Sequence, residues 1–189
     1  MKKIRQAVPE DVEAIVDIYA NIFKEDAKAG KVVGWRAGIY PTIATAEEGL
    51  RAKDLFVMEQ AGKVVATMRI NHRQGNSYKH CKWKYEAGEQ EVMALHTLGV
   101  DPAAKGQGIG RQMVQFYEEY ALQHQAPYLR IDTNVKNVRA RGLYTSMGYE
   151  ERDVFAWVVN DIHLMDLILL EKKLPILSGA MNYANNERS

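Results

Sequence analysis

A chain of 189 residues has the length of one domain, and with 47% of them apolar it can fill a core. Its 25 basic side chains against 24 acidic ones leave no basic excess, which argues against a nucleic-acid partner. No apolar run nears the ~20 residues of a membrane span, no apolar segment follows the basic start, and the lone Cys81 excludes an internal disulfide, so the expected setting is cytoplasmic.

In chain order, residues 3–8 read as a strand. Pro9 suits the first turn of a helix, with Glu10 and Asp11 where the helix dipole favours acids. Val12, Ile15, Val16, Tyr19, Ile22 and Phe23 then recur at helical spacing, although Val8 stands where a Ser or Thr cap is expected. Residues 30–42 are turn-rich. Thr45 to Glu48 has a capping-box pattern, which predicts a short helix to about Lys53. Residues 55–60 and 64–71 predict paired strands around Ala61-Gly62. Residues 73–90 predict a long loop or an irregular hairpin.

The apolar run Val92 to Val100 reads as a buried strand ended by Asp101-Pro102. After a glycine-rich loop, Ile109, Met113, Phe116, Tyr117, Tyr120 and Ala121 mark one helix face. A strand over 128–133, a helix over 138–147 with Gly148 as its cap, and strands near 154–159 and 163–170 follow. The pattern predicts an α/β domain on one mixed sheet over residues 1–174, with a loose tail over 175–189.

The most specific signal is Lys105-Gly106-Gln107-Gly108-Ile109-Gly110-Arg111, between a buried strand and an amphipathic helix. Glycines let consecutive N–H groups turn inward as an anion nest, and the helix N-terminus adds partial positive charge. That chemistry serves a pyrophosphate. The P-loop pattern is absent, and the spacing is one residue short of a dinucleotide fingerprint, although Asp132 falls near a ribose-binding position. A nucleotide or S-adenosylmethionine site, or a turn that binds nothing, are the competing readings.

Leu98-Gly99-Val100-Asp101-Pro102 followed by Lys105 to Gly110 resembles the acetyl-CoA signature of the GNAT N-acetyltransferases, with Lys105 departing from the usual Gln or Arg. Asn137-Val138-Arg139-Ala140-Arg141-Gly142-Leu143-Tyr144 with Met147-Gly148-Tyr149 is similar to the family's second motif. The resemblance covers residues 3–174. It implies an α+β fold, with a mostly antiparallel sheet flanked by helices and a splayed central strand pair. It also implies acetyl-CoA as co-substrate and a primary amine as acceptor. Pyrophosphate would sit on the amides of Gln107 to Gly110 and on Arg111, and the pantetheine arm along Leu98, Gly99 and Val100. Asn137 would bond that arm or cap its helix. An amide of the strand would stabilise the oxyanion of acyl transfer.

Transfer to an amine requires deprotonation, attack and a proton for the thiolate. His96, two residues before Leu98, is the candidate base, with Glu91 as its rival, and Tyr144 is the candidate acid. The other histidines show no zinc spacing, so no metal is expected. Trp35, Tyr40, Asn71, His72, Trp83 and Tyr85 are the candidate acceptor contacts, with loop packing as the alternative for the tryptophans. The resemblance is silent on the acceptor's identity and allows a homo-oligomer. A non-catalytic acyl-CoA-binding domain is the main competing function.

Overall fold

The computed structural model describes residues 2–159 and 162–175; the side chain of His163 and the expected tail beyond Pro175 fall outside what is described. Among these residues, seven strands form one sheet. They are β1 (Lys2–Gln6), β2 (Leu55–Gln60), β3 (Lys63–Asn71), β4 (Val92–Val100), β5 (Tyr128–Asn134), β6 (Glu150–Val159) and β7 (Ile162–Lys173). Their order is β1-β2-β3-β4-β5-β7-β6, and each neighbouring pair is antiparallel except β4 and β5. The helices are α1 (Val12–Lys28), α2 (Ile43–Ala52), α3 (Asn76–His80), α4 (Ile109–Gln123) and α5 (Val138–Ser146).

Strand alternation builds two layers. Phe56, Met58, Met68, Ile70, Met93, Leu95, Leu129 and Ile131 pack with Ile109, Met113, Tyr117 and Ala121 of α4. The intervening Leu55 and Val57 meet Ile15 and Tyr19 of α1 and Ala46 of α2 on the opposite face.

Three local departures from the sequence reading have physical reasons. The missing cap at Val8 is replaced in reverse, because the Asp11 carboxylate accepts the Val8 N–H at 2.9 Å and is held by Arg5 at 2.6 Å. The expected capping box at Thr45 is displaced: α2 starts at Ile43, Thr45 Oγ1 accepts the Thr42 amide at 3.0 Å, and Glu48 pairs with Arg69 and Arg73. The 73–90 segment is no hairpin, since α3 folds within it. Its Tyr78 carbonyl accepts Trp83 Nε1–H, and the Arg130 guanidinium lies 4.0 Å over the Trp83 ring.

The splayed pair is present. β4 and β5 pair only from Val92↔Tyr128 to Leu95↔Ile131. Beyond that point β4 follows β3 while β5 follows β7, so the strands diverge. A β-bulge lies at the divergence. His96 to Gly99 on β4 opposes Arg69 to Thr67 on β3, and Thr97 takes φ 53°, an unusual value for a β-branched residue.

Candidate active site

The gap between β4 and β5 opens into a cleft of about 530 Å³, lined by Leu98, Val100, Lys105, Gly106, Gly108, Ile109, Gly110 and Arg111, with Asn137 and Tyr144 among the residues opposite. Among the described residues, the amides of Gly106 to Arg111 donate to no backbone acceptor. Left without a backbone acceptor, these amides are what a turn that receives an anion requires. Gly106 and Gly108 hold φ 83° and 71°, which a side chain would strain. Gly110 has a different reason to be glycine: a Cβ there would meet Leu143 Cδ2 at 3.3 Å. Gln107 turns away from the cleft. Its carbonyl accepts Lys2 Nζ–H at 3.0 Å and its side chain bonds Gln60 at 3.0 Å, which fixes the loop to the sheet edge. A Cβ on Gly99 would press on Ile22 at 3.1 Å and Trp35 at 3.4 Å, so this strand position leaves no room for a side chain.

A second cavity, of about 560 Å³, is lined by residues of β4, β5, β6 and β7, of α3 and α5, and of the segment between α1 and α2. Val33, Trp35, Leu98, Asn137, Ala140 and Tyr144 line both spaces, so the two meet there. Asp26 sets the position of Val33, since its carboxylate accepts the Val33 and Gly34 amides at 2.7 and 2.9 Å. Trp35 stacks edge-on against Tyr19 and Tyr40, and Tyr40 against Trp157. The Tyr40 hydroxyl shares a hydrogen bond with Thr97 Oγ1, which couples this aromatic wall to the bulge.

His96 lines the second cavity. Its Nε2 lies 3.1 Å from the Arg73 carbonyl, an acceptor only, so Nε2 carries the proton and Nδ1 keeps the lone pair. Burial lowers the His96 pKa, with Asp132 opposing that shift. Asp132, on β5, accepts the Tyr78 hydroxyl at 2.7 Å, and burial raises its pKa, tempered by His96. Tyr144 is buried between the two cavities, and burial raises its phenol well above the ordinary value, so it stays protonated.

The structure brings together His96, Tyr144, Trp35, Tyr40 and Asn137. Asn137 caps α5, its Oδ1 accepting the Ala140 amide at 3.1 Å. The other expected acceptor contacts lie outside the cavity lining. Asn71 donates to Asp54 at 2.7 Å, His72 Nδ1–H donates to the Val92 carbonyl at 2.7 Å, and Trp83 packs on Arg130 and Tyr78. Tyr85 packs beside Tyr128. Glu91 also lies outside the lining, where it accepts the Gly88 amide at 2.8 Å. The carboxylate near His96 is Asp132, which the sequence reading weighed only as a ribose contact. Period-two alternation offered a signal: Leu129 and Ile131 face α4, so Arg130 and Asp132 face the opposite layer. Trp157, Tyr78 and Asn134 were not anticipated either.

Residues 15–149 match the model of the Acetyltransferase (GNAT) family. An uncharacterized N-acetyltransferase of Methanocaldococcus jannaschii is 24% identical over 152 residues, covering 80% of this chain and 62% of its own length. The S-(2-succino)cysteine N-acetyltransferase of Bacillus subtilis is 23% identical over 149 residues, covering 78% and 83%. A Salmonella typhimurium structure, described as an acetyltransferase with its cofactor acetyl-CoA, has a TM-score of 0.66 at 18% identity and covers 93% and 95%. With its family model spanning both the glycine loop and Tyr144, the chain belongs to the Acetyltransferase (GNAT) family.

Proposed function

We propose that the protein is an N-acetyltransferase that moves the acetyl group of acetyl-CoA directly to a primary amine, with both substrates bound at once. One observation carries this reading: a cleft lined by the glycine loop and a second cavity meet at Leu98, Asn137 and Tyr144. Two bound substrates would face each other there, and proximity would do most of the work without a covalent enzyme intermediate. The acetyl-CoA in the Salmonella structure supports the first ligand.

In this reading the free amides of Gly106 to Arg111 bind the pyrophosphate, with Lys105 and Arg111 adding charge. The unpaired edge of β4 at residues 98–100 receives the pantetheine arm, and one of its amides faces the developing oxyanion. His96 Nδ1 takes the proton of the acceptor ammonium and passes it to solvent. The freed nitrogen forms the N–C bond as the C–S bond breaks. Tyr144 protonates the departing thiolate and is recharged by the second proton leaving the nitrogen. Burial suits both groups, keeping the imidazole neutral and the phenol protonated. The carboxylate-bearing acceptor of the Bacillus relative is not carried over, because the described residues lining the cavity include no lysine or arginine.

The test is calorimetric binding of acetyl-CoA, NAD and S-adenosylmethionine, followed by an amine-library screen read by released CoA. Selective acetyl-CoA binding with amine-dependent CoA release is expected. Binding without any turnover would instead make the chain an acyl-CoA-binding domain, and preference for NAD or S-adenosylmethionine would overturn the reading altogether.

A further inference from the structure

The second cavity has an unbalanced charge inventory. On this side of the sheet, the buried side-chain charges of β3 and β5 have their opposites: Arg69 binds Asp54 at 2.8 and 3.0 Å, and Arg130 lies 3.4 Å from Glu171. Asp132 differs. Among the described residues it has no ion-pair partner, and the Tyr78 hydroxyl on Oδ2 is the one hydrogen bond it receives. Tyr78 is itself 2% exposed and fixed by Trp83, so the carboxylate is aimed rather than mobile. The described lining contains no other carboxylate, and its only titratable bases are His80 and His96.

A half-buried carboxylate that lines a cavity without a cationic partner is stabilised when a cation meets it. The rest of the described lining is largely aromatic or apolar: Trp35, Tyr40, Phe155, Trp157, Met165 and Leu167. A cavity of about 560 Å³ has the size of a small-molecule site, and its wall of Trp35, Tyr40 and Trp157 suits an apolar body.

Resting on the acetyltransferase reading above, we propose that Asp132 is the acceptor-binding carboxylate, and that the acceptor is a small cationic primary amine with an apolar body and no carboxylate beside its nitrogen. Asp132 captures the ammonium form next to His96, which then removes the proton. An α-amino acid would bring its own carboxylate against Asp132, with no guanidinium or ammonium in the described lining to receive it.

The experiment compares amines matched in body and differing in the α-carboxylate: tyramine with tyrosine, tryptamine with tryptophan, and histamine with histidine. CoA release is measured for the wild type, Asp132→Asn and Asp132→Glu, with acetyl-CoA affinity measured in parallel. The wild type should favour each amine over its amino acid by more than about 30-fold in kcat/KM, the loss expected when a buried charge lacks its partner. Asp132→Asn should lose a similar factor, chiefly through KM, with acetyl-CoA affinity unchanged and partial rescue in Asp132→Glu. Equal or better use of the amino acids, or of a peptide N-terminus, would overturn the inference while leaving an acetyltransferase. An Asn variant that is folded, binds acetyl-CoA and matches the wild-type KM would also overturn it. Failure of the wild type to bind acetyl-CoA would strike the underlying reading instead.

Discussion

The cleft lined by the glycine loop and the cavity beside His96 meet at Leu98 of β4, yet they are built in different ways. The cleft draws on three segments, 22–35, 98–111 and 137–144, and its glycine loop offers backbone amides. The cavity gathers side chains from β4, β5, β6, β7, α3 and the segment after α1. Backbone recognition needs glycines at fixed spacing, which leaves a linear trace. Side-chain recognition needs only that distant residues converge. A fold can therefore keep the first and replace the second freely.

The largest expected effect tests the backbone half. Gly108→Asp should abolish acetyl-CoA binding, measured by calorimetry on folded protein. It puts a side chain at φ 71° and a negative charge beside the nest. Unchanged affinity would mean that the nest is not the pyrophosphate site.

At the junction the effect should fall on rate alone. Tyr144→Phe should cut kcat by roughly 10²- to 10⁴-fold, the usual cost of a proton-transfer group, with acetyl-CoA affinity preserved. Full activity in the Phe variant would reduce Tyr144 to packing.

His96 is tested by pH. The reactive form is neutral, so turnover rises as pH climbs through the His96 pKa. Burial and Arg69 lower that pKa, while Asp132, Asp54 and the Arg73 carbonyl raise it. Burial is the largest of these, so the acidic limb should lie below the ordinary value near 6.5. His96→Ala should lose this limb and regain part of its rate at high pH, where the acceptor is already deprotonated. A variant profile matching the wild type would remove His96 as the base.

The smallest effects separate the cavity from its surroundings. Trp157→Ala should raise the acceptor KM by about 10-fold, as for loss of a buried aromatic contact, and spare acetyl-CoA. Asn71→Ala should leave kcat/KM alone and cost about 1 kcal/mol in denaturant melts, the worth of its bond to Asp54. A reversed pattern would redraw the cavity.

The same contrast explains what was legible in the sequence. β4 was read at its observed bounds, Val92 to Val100, because a long apolar run between a polar segment and Asp-Pro has one good solution. The glycine loop and α4 followed from spacing and periodicity. α3 escaped because five residues leave too short a period to detect. Asp132 was weighed as a ribose contact because nothing local reveals that Tyr78, 54 residues earlier, would meet it beside His96. Asn71 and His72 were expected at the acceptor site because they lead into the loop between the middle strands, but Asp54 and the Val92 carbonyl engage them outside the cavity lining.

The wall held by Asp26 has a thermodynamic consequence. Val33 and Trp35 touch both spaces, and the Val33 amide is tied to the same carboxylate as its neighbour Gly34. Gly34 has no slack either, since a Cβ there would meet Asn134 Nδ2 at 2.6 Å. Any displacement of this segment by one ligand is felt by the other. Linkage then demands equal coupling in both directions: the factor by which acetyl-CoA changes amine affinity is the factor by which the amine changes acetyl-CoA affinity. Loosening the tie with Asp26→Asn should move that factor towards one, read by titrating each ligand in the presence and absence of the other.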